Sequence, residues 1–250
     1  MDTRIKVFIP EILRANEPRY LTINSHVAFT GFSELGCLIE YFNAGWEIQN
    51  LKKEDIVAGF MGDVKKALKR LELPIPDPID YPSELKEFLG RKIWSSSLYS
   101  ILKEPQSWNI FIKPAKNVKE FVGFALKSKE DLVGRNLPEK DTWIWCSELM
   151  DFESEWRCFV CYGEILDLRR YKGRWDLMPD PEVIQNAVKK YKNSPKAYSL
   201  DFGISSGNTF LVEANDGFAL APYGLAAKDY ARFLSARWSE LTHTKDPFLK

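Results

Sequence analysis

The sequence predicts an α+β protein in two parts: a small α/β unit over residues 1–80 and a larger antiparallel α+β unit over residues 81–250. Three observations carry this reading. Strand and helix patterns alternate at the start of the chain. Beyond residue 105, short strands follow one another through tight turns, which favours antiparallel pairing. Between the two lies LPIPDPIDYP (Leu73–Pro82), a proline-rich stretch suited to a boundary.

Taken in order, Arg4–Ile9 (RIKVFI) reads as an opening strand ended by Pro10. Ser33–Ala44 sets Leu35, Leu38, Ile39 and Phe42 at helical spacing, with Ser33 as the N-cap and Gly45 as the stop. Asp63–Leu73 reads as a second helix, which Pro74, Pro76 and Pro78 end. Ser83–Leu89 is a short helix behind Pro82. The strands of the second part are Asn109–Lys113, Phe121–Leu126, Thr142–Glu148, Glu155–Tyr162, Glu164–Tyr171, Ala197–Ile204 and Thr209–Ala214. Tyr162–Gly163 and Ser205–Asn208 are hairpin turns. Two helices interrupt, Asp180–Tyr191 and Gly224–Leu241, the second with a broad apolar face.

Composition narrows the class of function. Thirty-five basic residues balance thirty-five acidic ones, so no overall charge draws the chain to nucleic acid or to an anionic membrane. No apolar run reaches the ~18 residues that span a bilayer. The opening MDTRIKVFIPEIL lacks the apolar region of a signal peptide, and four cysteines do not make a disulfide scaffold. Cytoplasm is therefore the expected compartment. Cys158 and Cys161 form a C-x-x-C, but on a strand residues three apart face opposite ways, so two buried thiols are expected rather than a metal pair.

Charged residues inside apolar strands mark the candidate chemistry, because burying them costs several kcal/mol unless they are paired. Lys113 ends an apolar strand, and Lys119 begins the next; two such ammonium groups can hold phosphate oxygens, and a lysine at a sheet edge can equally keep its head in water. Glu148, where WIWCSELMDF leaves its strand, can accept ribose hydroxyls or simply be solvated. Arg157 shares a face with Glu155, and Arg169 and Arg170 stand on the following strand; they can converge on an anion or form a cross-strand ladder. The strongest set is Asp201 with Glu213 and Asn215. Glu213 and Asn215 are two apart on LVEAND and share a face, which Asp201 reaches from the neighbouring strand, while Asp216 falls opposite. Such hard oxygen ligands suit Mg²⁺, which takes one or two carboxylates and completes its shell with water and phosphates.

The ordered text F-I-K-P, K-E-F-V-G, S-E-L, E-W-R-C-F-V, L-R-R-Y-K-G, L-D-F-G-I and L-V-E-A-N-D-G, over residues 109–225, resembles the ATP-grasp superfamily. It resembles in particular the clade named for an arginine and two lysines, whose relatives include the eukaryotic cell-division-cycle factor that helps assemble a translation-initiation complex. The resemblance implies an ATP-grasp fold, two α+β subdomains sandwiching ATP, behind a small α/β N-terminal domain. It implies that Lys113 and Lys119 contact the phosphates and that Glu148 marks the adenine and ribose hinge. Arg157 and Arg170 would touch the phosphates or the acceptor, strand parity favouring Arg170 over Arg169. Asp201, Glu213 and Asn215 would hold Mg²⁺. The implied activity is an ATP- and Mg²⁺-dependent ligase that activates a carboxylate as an acyl phosphate for attack by an amine, on a peptide or protein among other acceptors. The alternative is an ATP-binding assembly factor without fast turnover. Neither needs a Ser–His pair, in keeping with a chain whose histidines are His26 and His243. In such an enzyme the N-terminal unit helps bind the acceptor; Tyr20, His26, Phe29, Phe32 and Trp46 could serve there, though core packing is the commoner fate of aromatics.

Overall fold

The opening strand finds its partners in parallel. A computed structural model describes residues 4–12, 20–43, 48–116 and 120–249. Strand β1 (Lys6–Glu11) is followed by helix α1 (Ile23–Glu34), strand β2 (Leu38–Asn43), the short β3 (Ile56–Val57) and helix α2 (Met61–Arg70). The sheet order is β2-β1-β3, with both neighbours of β1 parallel to it. β1 runs through Pro10 instead of stopping there. β3 pairs only with Val7 and Phe8, so Pro10 lies past its end and its missing N–H interrupts no ladder on that side.

The helix expected over Ser33–Ala44 is not formed: Ser33 lies in the last turn of α1 with Leu35 as its C-cap, and Leu38, Ile39 and Phe42 belong to a strand. Thr22 caps α1 by accepting from the Ser25 N–H at 3.2 Å, and Gly36, at φ +77°, turns the chain out of the helix. The run LIEYFN then pairs residue for residue with β1. Its leucine, isoleucine and aromatics suit a strand as well as they fit the helical spacing, and the free edge of β1 decides between the two. Ala44 and Gly45 lie outside the described residues.

After a 3₁₀ turn at Ser83–Phe88 come strand β4 (Ile93–Ser97), helix α3 (Leu98–Lys103) and strands β5 (Ile110–Pro114), β6 (Phe124–Leu126) and β7 (Trp143–Glu148). They form an antiparallel sheet in the order β4-β7-β5-β6. A second antiparallel sheet holds β8 (Ser154–Cys161), β9 (Glu164–Gly173), β10 (Ala197–Ser205) and β11 (Asn208–Asp216), in the order β11-β10-β8-β9. Helix α4 (Pro181–Lys190) lies between β9 and β10, and α5 (Ala227–Thr242) follows β11.

The large sheet is buried on both faces. Cys158, Val160, Leu200 and Phe202 pack with Ile184 and Ala187 of α4 and with Leu85 of the 3₁₀ turn. Phe159, Cys161 and Ala197 join a different core with α5 and the β1–β3 sheet. Cys158 and Cys161 thus face opposite layers as free buried thiols. α5 also packs along α1 so tightly that a Cβ at Gly31 would lie 1.9 Å from the Ala227 carbonyl oxygen. The N-terminal unit is therefore joined to the large sheet through one apolar layer. The small sheet keeps its own core, built on Leu98, Ile112, Leu126, Ile144 and Cys146. No helix among the described residues is long and apolar enough to cross a membrane.

Candidate functional site

Two hairpin turns and one irregularity arrange the charged residues. Ser206 and Gly207 (φ +50° and +76°) join β10 to β11, and Tyr162 and Gly163 (φ +51° and +79°) join β8 to β9. Positive φ at both central residues suits a two-residue turn between twisted strands. From its turn, the β10–β11 hairpin pairs Ser205 with Asn208, Gly203 with Phe210 and Phe202 with Leu211. That register alone would set Asp201 opposite Val212 and turn Glu213 to the other face. A bulge at Val212 shifts the pairing, so Asp201 stands opposite Glu213 and Ser199 opposite Asn215. The shared acidic face thus depends on one unpaired residue.

Arg91, just ahead of β4, braces that bulge. Its guanidinium donates to the Leu211 carbonyl at 2.9 Å and to the Val212 carbonyl at 2.8 Å, with a further bond to Leu89 at 3.0 Å. β11 is an edge strand, and Arg91 covers carbonyls that it would otherwise leave open. Burial lowers the Arg91 pKa, with nearby Tyr81 opposing the change.

On the large sheet, Arg157 donates from Nε and Nη2 to the two oxygens of Asp201, at 2.8 and 2.7 Å. Both residues are buried, and they stand directly opposite on β8 and β10. Burial pushes the Asp201 carboxyl up, and the opposing pull of Arg157 only partly offsets it. Asn215 donates to Asp201 at 3.4 Å and to Glu213 at 3.3 Å. Asp216 turns away to α5, where Arg237 grips it with two bonds of 2.7 and 2.5 Å.

From the small sheet, Lys113 reaches across. Its ammonium lies 2.5 Å from Glu213 and 2.6 Å from Asp80, a linker residue that also accepts from the Trp145 indole at 3.1 Å. Burial opposes the lysine's charge, but Glu213, Tyr81 and Asp80 outweigh it and hold Lys113 firmly protonated. Burial works against the Glu213 carboxylate too, and Lys113 and Asn215 more than offset it, so its pKa is lowered. Lys113 and Glu213 both line a cavity of about 860 Å³, together with Phe111, Gly123, Arg135 and Asn215. Such a volume accommodates a large small-molecule ligand.

Arg157 lies opposite Arg169, whereas Arg170 pairs with Trp156 on the other face, because a shift at Phe159/Val160 leaves Leu166 as the extra residue; a second shift, at Glu155/Trp156, leaves Tyr171 unpaired. The parity argument that selects Arg170 therefore fails geometrically. Arg170 is exposed and donates to the Gly173 carbonyl at 2.7 Å. Arg169 bonds Asp167 at 2.8 Å on the inner face. Glu148 ends β7, exposed, and accepts from the Lys92 N–H at 2.8 Å; it pairs with Ile110, about 10 Å along the strand from Trp145. Lys119 lies outside the described residues.

Sequence reasoning missed Asp80, Arg91, Trp145, Tyr171 and Tyr223. Tyr171 and Tyr223 stack at 5.4 Å, and the Arg157 guanidinium lies 4.8 Å from the Tyr223 ring. Tyr171, within the quoted L-R-R-Y-K-G, had a motif to point to it; Asp80 and Arg91 lie in connecting segments with none. Among the N-terminal aromatics, Phe32 is buried core, Phe29 packs beside it, Tyr20 and His26 are exposed, and Trp46 is outside the described residues. The N-terminal unit supplies Met61 and Lys65 to the cavity instead.

The donor set can be tested against Mg²⁺ chemistry. No group of three His, Cys, Asp or Glu side chains suited to a metal occurs among the described residues. Asp201 and Glu213 supply two carboxylates, with the Asn215 amide linking them. Two carboxylates, an amide oxygen and phosphates from a substrate fit a cation that relies on its substrate for part of its shell.

The chain that carries this arrangement can be compared with known families. Residues 88–233, more than half of the chain, match the ATP-grasp domain of family 2 in the clade named for an arginine and two lysines. The chain belongs to that family. Among solved structures it is similar to N5-carboxyaminoimidazole synthetase from Staphylococcus aureus, with a TM-score of 0.59 and 12% identity over 97% of this chain and 78% of that one. It is similar to the D-alanine–D-alanine ligase from Bacillus anthracis, with a TM-score of 0.58 and 12% identity over 97% and 98% of the two chains. The same ligase complexed with ATP gives a TM-score of 0.52 and 14% identity, covering 96% of this chain and 97% of that one. The ATP-grasp ligase PsnB complexed with minimal precursor aligns at a TM-score of 0.50 and 11% identity, over 98% and 100%. No curated protein sequence matches the chain.

Proposed function

We propose that this protein binds ATP with Mg²⁺ between its two antiparallel sheets and uses it to join a carboxylate to an amine. The observation that carries the reading is the meeting of Lys113 with Glu213 and Asn215 on the walls of one cavity. A triphosphate needs cations and a metal cradle more than it needs a nucleophile from the protein. In this reading Lys113 holds phosphate oxygens and Lys119 supplies a second ammonium. Asp201, Glu213 and Asn215 hold Mg²⁺, which when bound would neutralise phosphate charge. Glu148, at the end of β7, accepts ribose hydroxyls. Arg157, fixed by Asp201, presents its charge toward the reacting groups with Arg169 opposite it, in preference to Arg170.

The reaction transfers the γ-phosphoryl of ATP to a carboxylate oxygen. The amine then attacks the acyl carbon, and phosphate leaves. The products are an amide, ADP and phosphate. A precursor molecule as the substrate draws support from the likeness to the ATP-grasp ligase PsnB, solved with its minimal precursor, and a peptide is one such candidate.

The test is incubation of the purified protein with ATP, Mg²⁺ and a panel of carboxylate and amine compounds that includes peptides. A coupled substrate should gain the mass of the amine less one water as ADP accumulates. ADP formation that persists unchanged in Glu213→Gln would remove the reading. ATP binding with no acceptor-dependent ADP from a broad panel would favour an ATP-dependent assembly factor.

A further inference from the structure

We propose that Asp80 is a positioning residue for Lys113: anchored outside both sheets, it keeps the ammonium in place when a metal takes Glu213. The inference rests on the ATP-binding reading above and deepens it. Asp80 is only 7% exposed, and its backbone sits at φ +36°, a region that residues with a side chain rarely adopt. Three bonds hold it there. Its carbonyl accepts from the Ala214 N–H at 2.8 Å, between Glu213 and Asn215. Its Oδ2 accepts from the Trp145 indole at 3.1 Å, and its Oδ1 takes Lys113 at 2.6 Å. One linker residue is thus tied to β11, β7 and β5. The first two bonds involve neither Lys113 nor Glu213, so Asp80 keeps its place when Glu213 changes partner.

The lysine needs such an anchor. Its charge sits on a flexible four-carbon stem, and fixing that stem costs rotamer entropy. An ammonium has three N–H donors. One goes to Asp80 and one to Glu213, which leaves one for a phosphate oxygen. A metal on Glu213 would draw that carboxylate away from the lysine. Asp80 then supplies the remaining fixed counter-charge, beside the Tyr81 ring 4.6 Å from Nζ. A carboxylate that merely competed with phosphate for the lysine would act in the opposite direction, and its removal would tighten ATP binding.

The experiment titrates ATP, at saturating Mg²⁺, into the full chain and into Asp80→Asn, Asp80→Glu, Lys113→Met and the Asp80→Asn/Lys113→Met double variant. Melting curves confirm folding. Asp80→Asn should weaken ATP about tenfold, the scale of one charge-assisted hydrogen bond. Asp80→Glu should recover part of the loss. In the Lys113→Met background Asp80→Asn should change nothing further, because the two act as one unit. Unchanged or tighter binding by Asp80→Asn overturns the proposal, and so does an equal loss without Lys113. Should Asp80→Asn not fold, Trp145→Phe frees the same carboxylate and should weaken ATP about threefold only while Lys113 is present, one neutral hydrogen bond being lost; no change there overturns the proposal as well. If the wild-type chain binds no ATP with Mg²⁺, both readings fall. Wild-type binding with unaffected Asp80 and Trp145 variants removes the role of Asp80 alone.

Discussion

Within the large sheet, Arg157, Asp201, Asn215 and Glu213 stand on adjacent strands and bond one another, and Asn215 and Glu213 line the cleft. On the small-sheet wall, Lys113 stands at the end of β5 and finds its partners across the cleft, on the linker and on β11. The first arrangement is rigid and self-satisfied, with side-chain exposures of 9% and 2% for Arg157 and Asp201. The second bridges two sheets that have separate cores. A nucleotide and its metal between the walls would draw Glu213 from Lys113 and could leave the arginine pair intact. The difference separates the Arg157–Asp201 pair, whose loss destabilises the protein, from Lys113 and Glu213, whose loss disarms it.

Substitutions on the two walls should therefore behave differently. Asp201→Asn strands a buried guanidinium and should cost about 3–5 kcal/mol in urea unfolding. Arg91→Ala uncovers the Leu211 and Val212 carbonyls and should cost about 2 kcal/mol, with loss of Mg²⁺-dependent ATP binding as the bulge relaxes. Lys113→Met should cost only about 1–2 kcal/mol, since Asp80 keeps the Trp145 bond, yet it should lower ATP affinity more than any other small-sheet substitution. Glu148→Gln should change stability by less than about 0.5 kcal/mol, because the group is exposed, while weakening ATP relative to a nucleotide that lacks ribose hydroxyls. A large stability loss in Lys113→Met with an intact Asp201→Asn would reverse the comparison.

The legible parts of the sequence were those whose neighbours in space are neighbours in the chain. Asp201, Glu213 and Asn215 sit on one hairpin, and strand alternation brings them close to the right arrangement. What alternation misses is the bulge at Val212, since a valine carries no mark of irregular pairing. The same kind of shift, at Phe159/Val160, inverted the choice between Arg169 and Arg170. Leu38–Asn43 fits a helical spacing and becomes a strand only because β1, some thirty residues earlier, offers an edge. Asp80 and Arg91 were invisible because their partners lie more than thirty and more than a hundred residues away. β4 was missed because its serines show no apolar alternation.

The most direct measurement is calorimetric titration of ATP into the purified protein with and without Mg²⁺, repeated on Lys113→Met and Glu213→Gln. Binding should require Mg²⁺ in the wild type, and it should weaken at least about tenfold in each variant, as a lost charged contact implies, while their melting curves stay close to wild type. ATP that fails to bind with Mg²⁺, or that binds the two variants as tightly as the wild type, would contradict the account.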